Sequence, residues 1–140
     1  MQDAKPVNTP GEDEKPWKEA EGEEKLEKRE GTNFRAFAAR ANYLALDRLD
    51  IQFAVKELCR GMANPSRADV GKPRRLARYL RGRPRLVLEC KYQEELDAID
   101  VYSDSDWAGC WRTAKSTSGG VIMRGGHYVK SWSTRKRTSH

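Results

Sequence analysis

An acidic stretch is the first place in this sequence where residue types and spacing could support catalysis. Residues 102–109 read YSDSDWAG, which places Asp104 at the end of a predicted strand and Asp106 at the start of the next loop. A carboxylate at a strand end, followed by small residues, can hold Mg²⁺ against a phosphate. Metal-assisted phosphodiester cleavage needs further carboxylates around two ions. The spacing alone is therefore a weak signal, and two turn aspartates remain the alternative interpretation.

A basic stretch gives the second candidate site. Seven lysines and arginines fall within the fourteen residues 72–85. At helical spacing three of them share one face and two more lie beside it, namely Arg74, Arg78 and Arg81, with Lys72 and Arg75. Such a ridge can neutralise several phosphates, which predicts weak, salt-dependent binding of nucleic acid. A solvated helix face without a ligand is the alternative.

Other chemistries find little support in the sequence. His127 and His140 show no zinc-ligand spacing with each other or with a cysteine. The chain has no apolar run of about 18 residues, so we expect no membrane partner. Cys59, Cys90 and Cys110 are an odd number of widely spaced cysteines, and the polar N-terminus does not resemble a signal peptide; both observations predict an intracellular protein. The oligomeric state is left open.

Composition predicts a small folded part behind an acidic tail. Leu, Ile, Val and Phe make up 23 of the 140 residues, and 21 of these lie after residue 33. Residues 1–33 carry a net charge of −4, whereas residues 34–140 carry +10. A segment rich in Glu, Lys, Pro and Gly with few apolar residues is typical of disorder. We therefore predict that residues 1–33 form a disordered acidic tail.

Hydrophobic periodicity predicts an α+β fold, with three helices followed by an antiparallel sheet. The first helix is predicted to begin near Asn33 with Thr32 or Asn33 as its cap, the second to be capped by Asp50, and the third to run from near Asp69 to Arg81. After residue 82 the period changes to that of strands. The predicted strands cover residues 86–90, 98–104, 119–124 and 127–132, with a loop at 105–116 and a glycine turn at 125–126.

Three strings, in this order, carry a resemblance to a known family. They are RAFAARANYLALDRLDIQFAVKELCRGMANPSRAD, RLARYLRGRPRLVL and YSDSDWAGCWRTAKSTSGGVIMRGGHYVKSWS, which together cover about 100 residues. From residue 34 onward the chain resembles the Pol polyprotein of Ty1/copia-type LTR retrotransposons. The strings ARANYLALDR and AVKELCRGM are similar to copies in dinoflagellate genomes.

The resemblance implies two domains and a role for one aspartate. Residues 34–91 would be the end of a reverse transcriptase, its thumb or connection region. Residues 96–140 would be the truncated start of an RNase H domain of the ribonuclease HI type, which opens with a three-stranded meander. By this resemblance Asp104 is the first catalytic carboxylate and a ligand of Mg²⁺, whereas Asp106 is not expected to bind the metal.

Departures from the family pattern reduce the expected activity. The family's next catalytic residue is a glutamate after the third strand, where this chain reads TRKRTSH. Leu49 replaces the usual proline, Val70 the usual tryptophan and Pro73 a common leucine. We therefore expect a Pol fragment whose ancestral role was RNA–DNA hybrid handling and RNase H cleavage, with no Mg²⁺ bound and no complete active site. The alternatives are a non-catalytic basic module that binds nucleic acid and an inert fragment.

Overall fold

A computed structural model describes residues 4–12, 24–94, 97–110 and 115–135 of the chain. The chain divides into two compact units, Met1–Leu86 and Val87–His140. Helices form the first unit and a three-stranded sheet forms the second, which confirms the predicted α+β class. No helix within the described ranges is long and apolar enough to span a membrane.

The helical unit contains three α-helices and two short 3₁₀ turns. Helix α1 spans Lys28–Leu44, α2 spans Gln52–Arg60 and α3 spans Gly71–Gly82. The 3₁₀ turns Leu49–Ile51 and Arg67–Val70 lead directly into α2 and α3. Pro73 falls in the first turn of α3, where a backbone N–H has no helical partner to lose. The proline therefore leaves α3 unbroken.

The apolar faces of the three helices meet in one small core. Its largest fully buried side chains are those of Ile51, Val55, Leu58 and Leu76. Alanines on α1 allow the helices to approach, and the remaining buried apolar residues are Phe34, Ala38, Ala41, Ala45 and Tyr79. These buried residues recur at steps of three and four along the chain, the period from which the sequence predicted three helices.

The two thiols with described side chains lie in contrasting surroundings. The Cys59 Sγ packs against the core 3.9 Å from the Ala38 carbonyl oxygen. Burial raises the pKa of the Cys59 thiol. Cys90 is exposed, and both cysteines are free.

The predicted start of α1 is wrong, and the chain is held in place earlier than expected. Helix α1 begins at Lys28, and the Thr32 hydroxyl donates to the Lys28 carbonyl within the helix instead of capping it. Just upstream, the Leu26 N–H donates to Pro65 O at 3.1 Å. The prediction of a disordered segment therefore does not hold from residue 24 onward. Polar helix formers (Lys28, Arg29 and Glu30) open the first turn of α1, so hydrophobic periodicity could not reveal that turn. Residues 13–23 lie outside the described ranges.

The second unit is an antiparallel sheet in the order β1-β2-β3. Its strands span Asp100–Cys110, Lys115–Arg124 and His127–Arg135. Strand β1 runs through the first half of the predicted loop because it stays paired with β2, Asp104 opposite Gly119 and Asp106 opposite Thr117. The predicted strand at 86–90 is wrong: Val87 there is 83% exposed, and the segment joins no strand. An apolar run without a pairing partner does not form a strand.

The Gln93 side chain makes two hydrogen bonds to the β2–β3 turn. Gly125 has a φ of 57°, which confirms the glycine turn predicted from the sequence. The Gln93 side chain accepts a hydrogen bond from Gly126 N at 3.0 Å and donates to Arg124 O at 2.8 Å. The His127 ring donates from Nε2 to the Lys91 carbonyl at 2.6 Å. These bonds hold residues 91–93 against the turn.

The sheet carries apolar side chains that this chain leaves exposed. Val101 in β1 is 61% exposed, and Ile99, just before the strand, is 64% exposed. Trp132 is half-buried.

Candidate nucleic-acid interface

Helix α3 has a buried apolar side and a basic side. Leu76 and Tyr79 point into the core, which turns the arginines of the helix outward. Arg74 is exposed, and within the described ranges it makes no ion pair or hydrogen bond. This residue offers its full charge to a ligand.

Lys72 is the first of the predicted basic residues that the structure pairs with an acid. Its Nζ lies 3.0 Å from Asp69 Oδ1. Asp69 is buried, and its Oδ2 also accepts hydrogen bonds from the Ser66 backbone N–H and hydroxyl. Burial alone would raise the pKa of Asp69, but the bonds from Lys72 and Ser66 outweigh it and lower the pKa. Lys72 therefore stabilises the start of α3, and this pairing diminishes the charge it offers to nucleic acid.

Three other predicted basic residues contact the N-terminal segment, by which we mean residues 4–12. Arg75 forms an ion pair with Glu12 and donates from Nη2 to Thr9 Oγ1 at 2.7 Å. Arg78 Nε donates to the Lys5 carbonyl at 2.7 Å. Arg81 Nη1 lies 3.4 Å from the Ala4 carbonyl oxygen. The predicted arginine ridge exists, but part of the protein's own chain lies along it.

Apolar contacts fix the path of the N-terminal segment. Val7 packs against the helical core. Gly82 lies so close to Pro6 that a Cβ at position 82 would come within 2.8 Å of the proline Cβ. This approach is possible only because residue 82 has no side chain. The structure thus gives residues 4–12 a defined path along α3, although composition predicts a disordered tail there.

Sequence reasoning missed this contact, although the sequence held a signal for it. The first 33 residues are acidic and the rest of the chain is basic, but residues 4–12 themselves carry one lysine and one glutamate and no net charge. Opposite charges at two ends of a chain favour their association, but net charge does not indicate which residues meet.

A buried polar network holds the end of α3 against the α1–α2 connection. Arg48 is 6% exposed, and its guanidinium binds both carboxylate oxygens of Asp50 at 2.9 and 2.8 Å. The Tyr79 hydroxyl donates to Asp50 Oδ2 at 2.8 Å, and Arg48 Nη2 donates to the Arg83 carbonyl at 2.9 Å. The hydrogen bonds from Arg48 lower the pKa of Asp50. The predicted helix cap at Asp50 is wrong, because its carboxylate is committed to this network.

The candidate metal site at Asp104 has no set of neighbouring ligands in the part of the chain that the structure describes. Asp104 is exposed and lies within β1, not at its end, because the strand continues to Cys110. Asp106 is also exposed. Within the described ranges, no group of three or more His, Cys, Asp or Glu side chains could hold a metal ion.

Comparisons with known proteins find relatives that include two transposon polyproteins. The chain is 32% identical over 137 residues to the uncharacterized mitochondrial protein AtMg00810 of Arabidopsis thaliana, which covers 98% of this chain and 55% of that protein. It is 35% and 34% identical over 106 residues to the retrovirus-related Pol polyproteins from transposons RE1 and RE2 of Arabidopsis thaliana. These alignments cover 76% of this chain and 7% of each polyprotein.

The chain thus spans about half the length of the first relative and a small stretch of the two polyproteins. No family model matches the chain, and no solved structure matches it. No solved structure therefore supports the expected resemblance of the sheet to RNase H. The likeness to dinoflagellate copies stays a prediction. The two transposon polyproteins agree with the family indicated by the three sequence strings. The chain belongs to the copia-type retrotransposon Pol polyproteins, of which it is a fragment.

Proposed function

We propose that this Pol fragment binds nucleic acid, either an RNA–DNA hybrid or a duplex, through the basic side of α3, and that it does not cleave it alone. The observation that carries the proposal is the exposed, unpaired Arg74 beside Arg78, whose partner is a neutral carbonyl. A carbonyl oxygen satisfies a guanidinium donor without cancelling its charge. Positive charge on a packed helix can neutralise phosphates at fixed spacing.

The contacts divide the five predicted binding residues into two groups. Lys72 and Arg75 are paired with Asp69 and Glu12, so they contribute less net charge to a ligand. Arg74, Arg78 and Arg81 are the residues from which we expect phosphate contacts. The proposed complex is weak and independent of sequence, because phosphate contacts carry no base information.

The binding proposal predicts a specific salt dependence. Three phosphate contacts give a slope of about −2.7 in log affinity against log salt on duplex DNA. Arg74→Gln should reduce the magnitude of that slope by about 0.9, because one contact is lost. Fluorescence anisotropy with labelled duplex and hybrid between about 50 and 200 mM salt, a range of about 0.6 decades, measures the slope.

Arg40→Gln is the matched control, because Arg40 is an exposed arginine on α1 and the charge change is identical. This variant should keep the wild-type slope. Equal slopes for Arg74→Gln and wild type would show that the basic side of α3 is only solvated. Absence of binding at low salt would favour an inert fragment.

The resemblance also implies an RNase H activity that cleaves RNA–DNA hybrids. That reaction would use Mg²⁺ held by Asp104. The residues described around Asp104 do not fit a site for two metal ions, since no cluster of ligands accompanies it. Carboxylates that share two ions are what two-metal hydrolysis requires. We therefore propose no catalytic step for this chain by itself.

We expect no hydrolysis of a labelled RNA–DNA hybrid by the purified chain in Mg²⁺ or Mn²⁺. Asp104→Asn should behave like wild type in the same gel assay, because a single carboxylate contributes no complete site. An added ribonuclease H serves as the positive control for the substrate. Turnover that disappears in Asp104→Asn would contradict the expectation and assign Asp104 a catalytic role.

A further inference from the structure

We propose that the N-terminal segment is an intramolecular competitor for the α3 arginines, so that nucleic acid binds only where this segment is released. The inference rests on the proposed function of α3. Two observations support it: the segment binds hydrogen-bond donors of the α3 arginines, and its own contacts are largely exposed to solvent.

The segment offers α3 the same kind of acceptors that a phosphate backbone offers. Arg75 meets a carboxylate and a hydroxyl from Glu12 and Thr9. Arg78 and Arg81 meet main-chain carbonyl oxygens of Lys5 and Ala4. These guanidinium donors cannot bind a phosphate while they point into the segment. The segment therefore competes by binding the same arginine donors that a phosphate would bind, and not through long-range electrostatic repulsion.

The closed contact leaves one donor unsatisfied. Among the described residues, the Nε of Arg75 is the buried side-chain nitrogen that has no hydrogen-bond acceptor. A guanidinium presents its donors as a planar fork that suits two oxygens of one phosphate. The segment thus satisfies Arg75 less fully than a phosphate could.

The grip of the segment is weak enough for a polyanion to displace it. The Glu12 side chain in the Arg75 ion pair is 66% exposed, so water and salt screen the attraction. The segment forms no helix or strand, and only Val7 in it packs against the helical core. Pro6 lies against Gly82 and Gly11 against Ala54, and these two contacts guide the path of the segment. Added salt should therefore loosen the segment as well as the nucleic acid.

A reversible disulfide tests the proposal in one folded protein. A Cβ at Gly11 would lie 3.4 Å from the Ala54 Cβ, close to the separation found in disulfides. Gly11→Cys with Ala54→Cys would lock the segment shut when oxidised and release it when reduced. Cys90→Ser and Cys110→Ser in the same 140-residue chain remove two other thiols, and the remaining Cys59 packs against the core.

We expect the oxidised chain to bind a labelled duplex about tenfold more weakly than the same chain after reduction, because locking removes the competent state. Equal affinity in the two redox states would overturn the competition and leave the proposed function standing. Absence of binding in both states would overturn the proposed function, and the competition with it.

A second variant covers the case in which the locked protein does not fold. Thr9→Ala with Glu12→Gln removes the Thr9 acceptor and the Glu12 charge from Arg75 and should tighten binding several-fold. Asp47→Asn is the control for the loss of one negative charge, because Asp47 is exposed and lies outside the segment. A gain no larger than that of the control would contradict the proposal.

Discussion

Replacement of Asp50 by alanine is expected to destabilise the helical unit by about 3–5 kcal/mol, the cost of breaking a buried ion pair from one side. The variant leaves the Arg48 guanidinium buried without its carboxylate, since Arg48 is only 6% exposed. It also removes the acceptor of the Tyr79 hydroxyl. Urea unfolding followed by the helical circular dichroism signal measures the loss.

Asp47→Ala is the matched control, three positions before Asp50 and exposed. We expect it to change stability by less than about 0.5 kcal/mol. Acid gives a second reading of the same interaction: a carboxyl with a lowered pKa stabilises the fold above its unfolded pKa, and that stability is lost as the pH falls through the folded value. Below pH about 4 the gap between wild type and Asp50→Ala should therefore narrow. A gap that stays constant would show that the charge of Asp50 contributes nothing.

Gly120→Ala should disrupt the sheet, at a cost of about 1–3 kcal/mol from overpacking. Gly120 pairs with Trp132 on the neighbouring strand. A Cβ at position 120 would lie inside the contact distance of the indole, 2.8 Å from its Cε2 and closer still to other ring atoms. The ring must swing away, which gives up the packing that half-buries it. Tryptophan fluorescence during thermal unfolding measures the loss and the new ring environment.

The adjacent glycine provides the control for this variant. A Cβ at Gly119 would meet only the Trp132 carbonyl oxygen, at an ordinary 3.6 Å. Gly119→Ala should therefore be neutral or slightly stabilising, because alanine has less conformational freedom to lose than glycine. Equal effects of the two substitutions would refute the packing of Trp132 over Gly120.

The sequence predicted the fold best where a local pattern of residue types determines the structure. The buried faces of α2 and α3 follow from apolar spacing, and the turn at Gly125 follows from its two glycines. The same reasoning failed for β1 beyond Asp104. There the sequence contains serine, aspartate and glycine, which have low strand propensity, and only pairing with β2 keeps the segment extended.

The candidate site was harder to predict because its contacts are long-range. The ridge of Arg74, Arg78 and Arg81 could be identified from spacing on one helix. The partner of Arg78 lies 73 positions away at Lys5, and no local pattern encodes that distance. Asp50 was predicted to be a helix cap because it precedes an apolar helix. One actual partner of its carboxylate, the Tyr79 hydroxyl, lies 29 positions away and could not be identified from the local sequence.

Because Cys59 is packed against the core, the rate at which its thiol is alkylated measures the opening of the helical unit. A thiol packed against Ala38 with a raised pKa reacts slowly with alkylating agents while the helices stay closed. The exposed Cys90 reacts in the same tube without any opening. The ratio of the two alkylation rates therefore reports how often the core of α1 and α2 separates in the native protein, in the absence of denaturant.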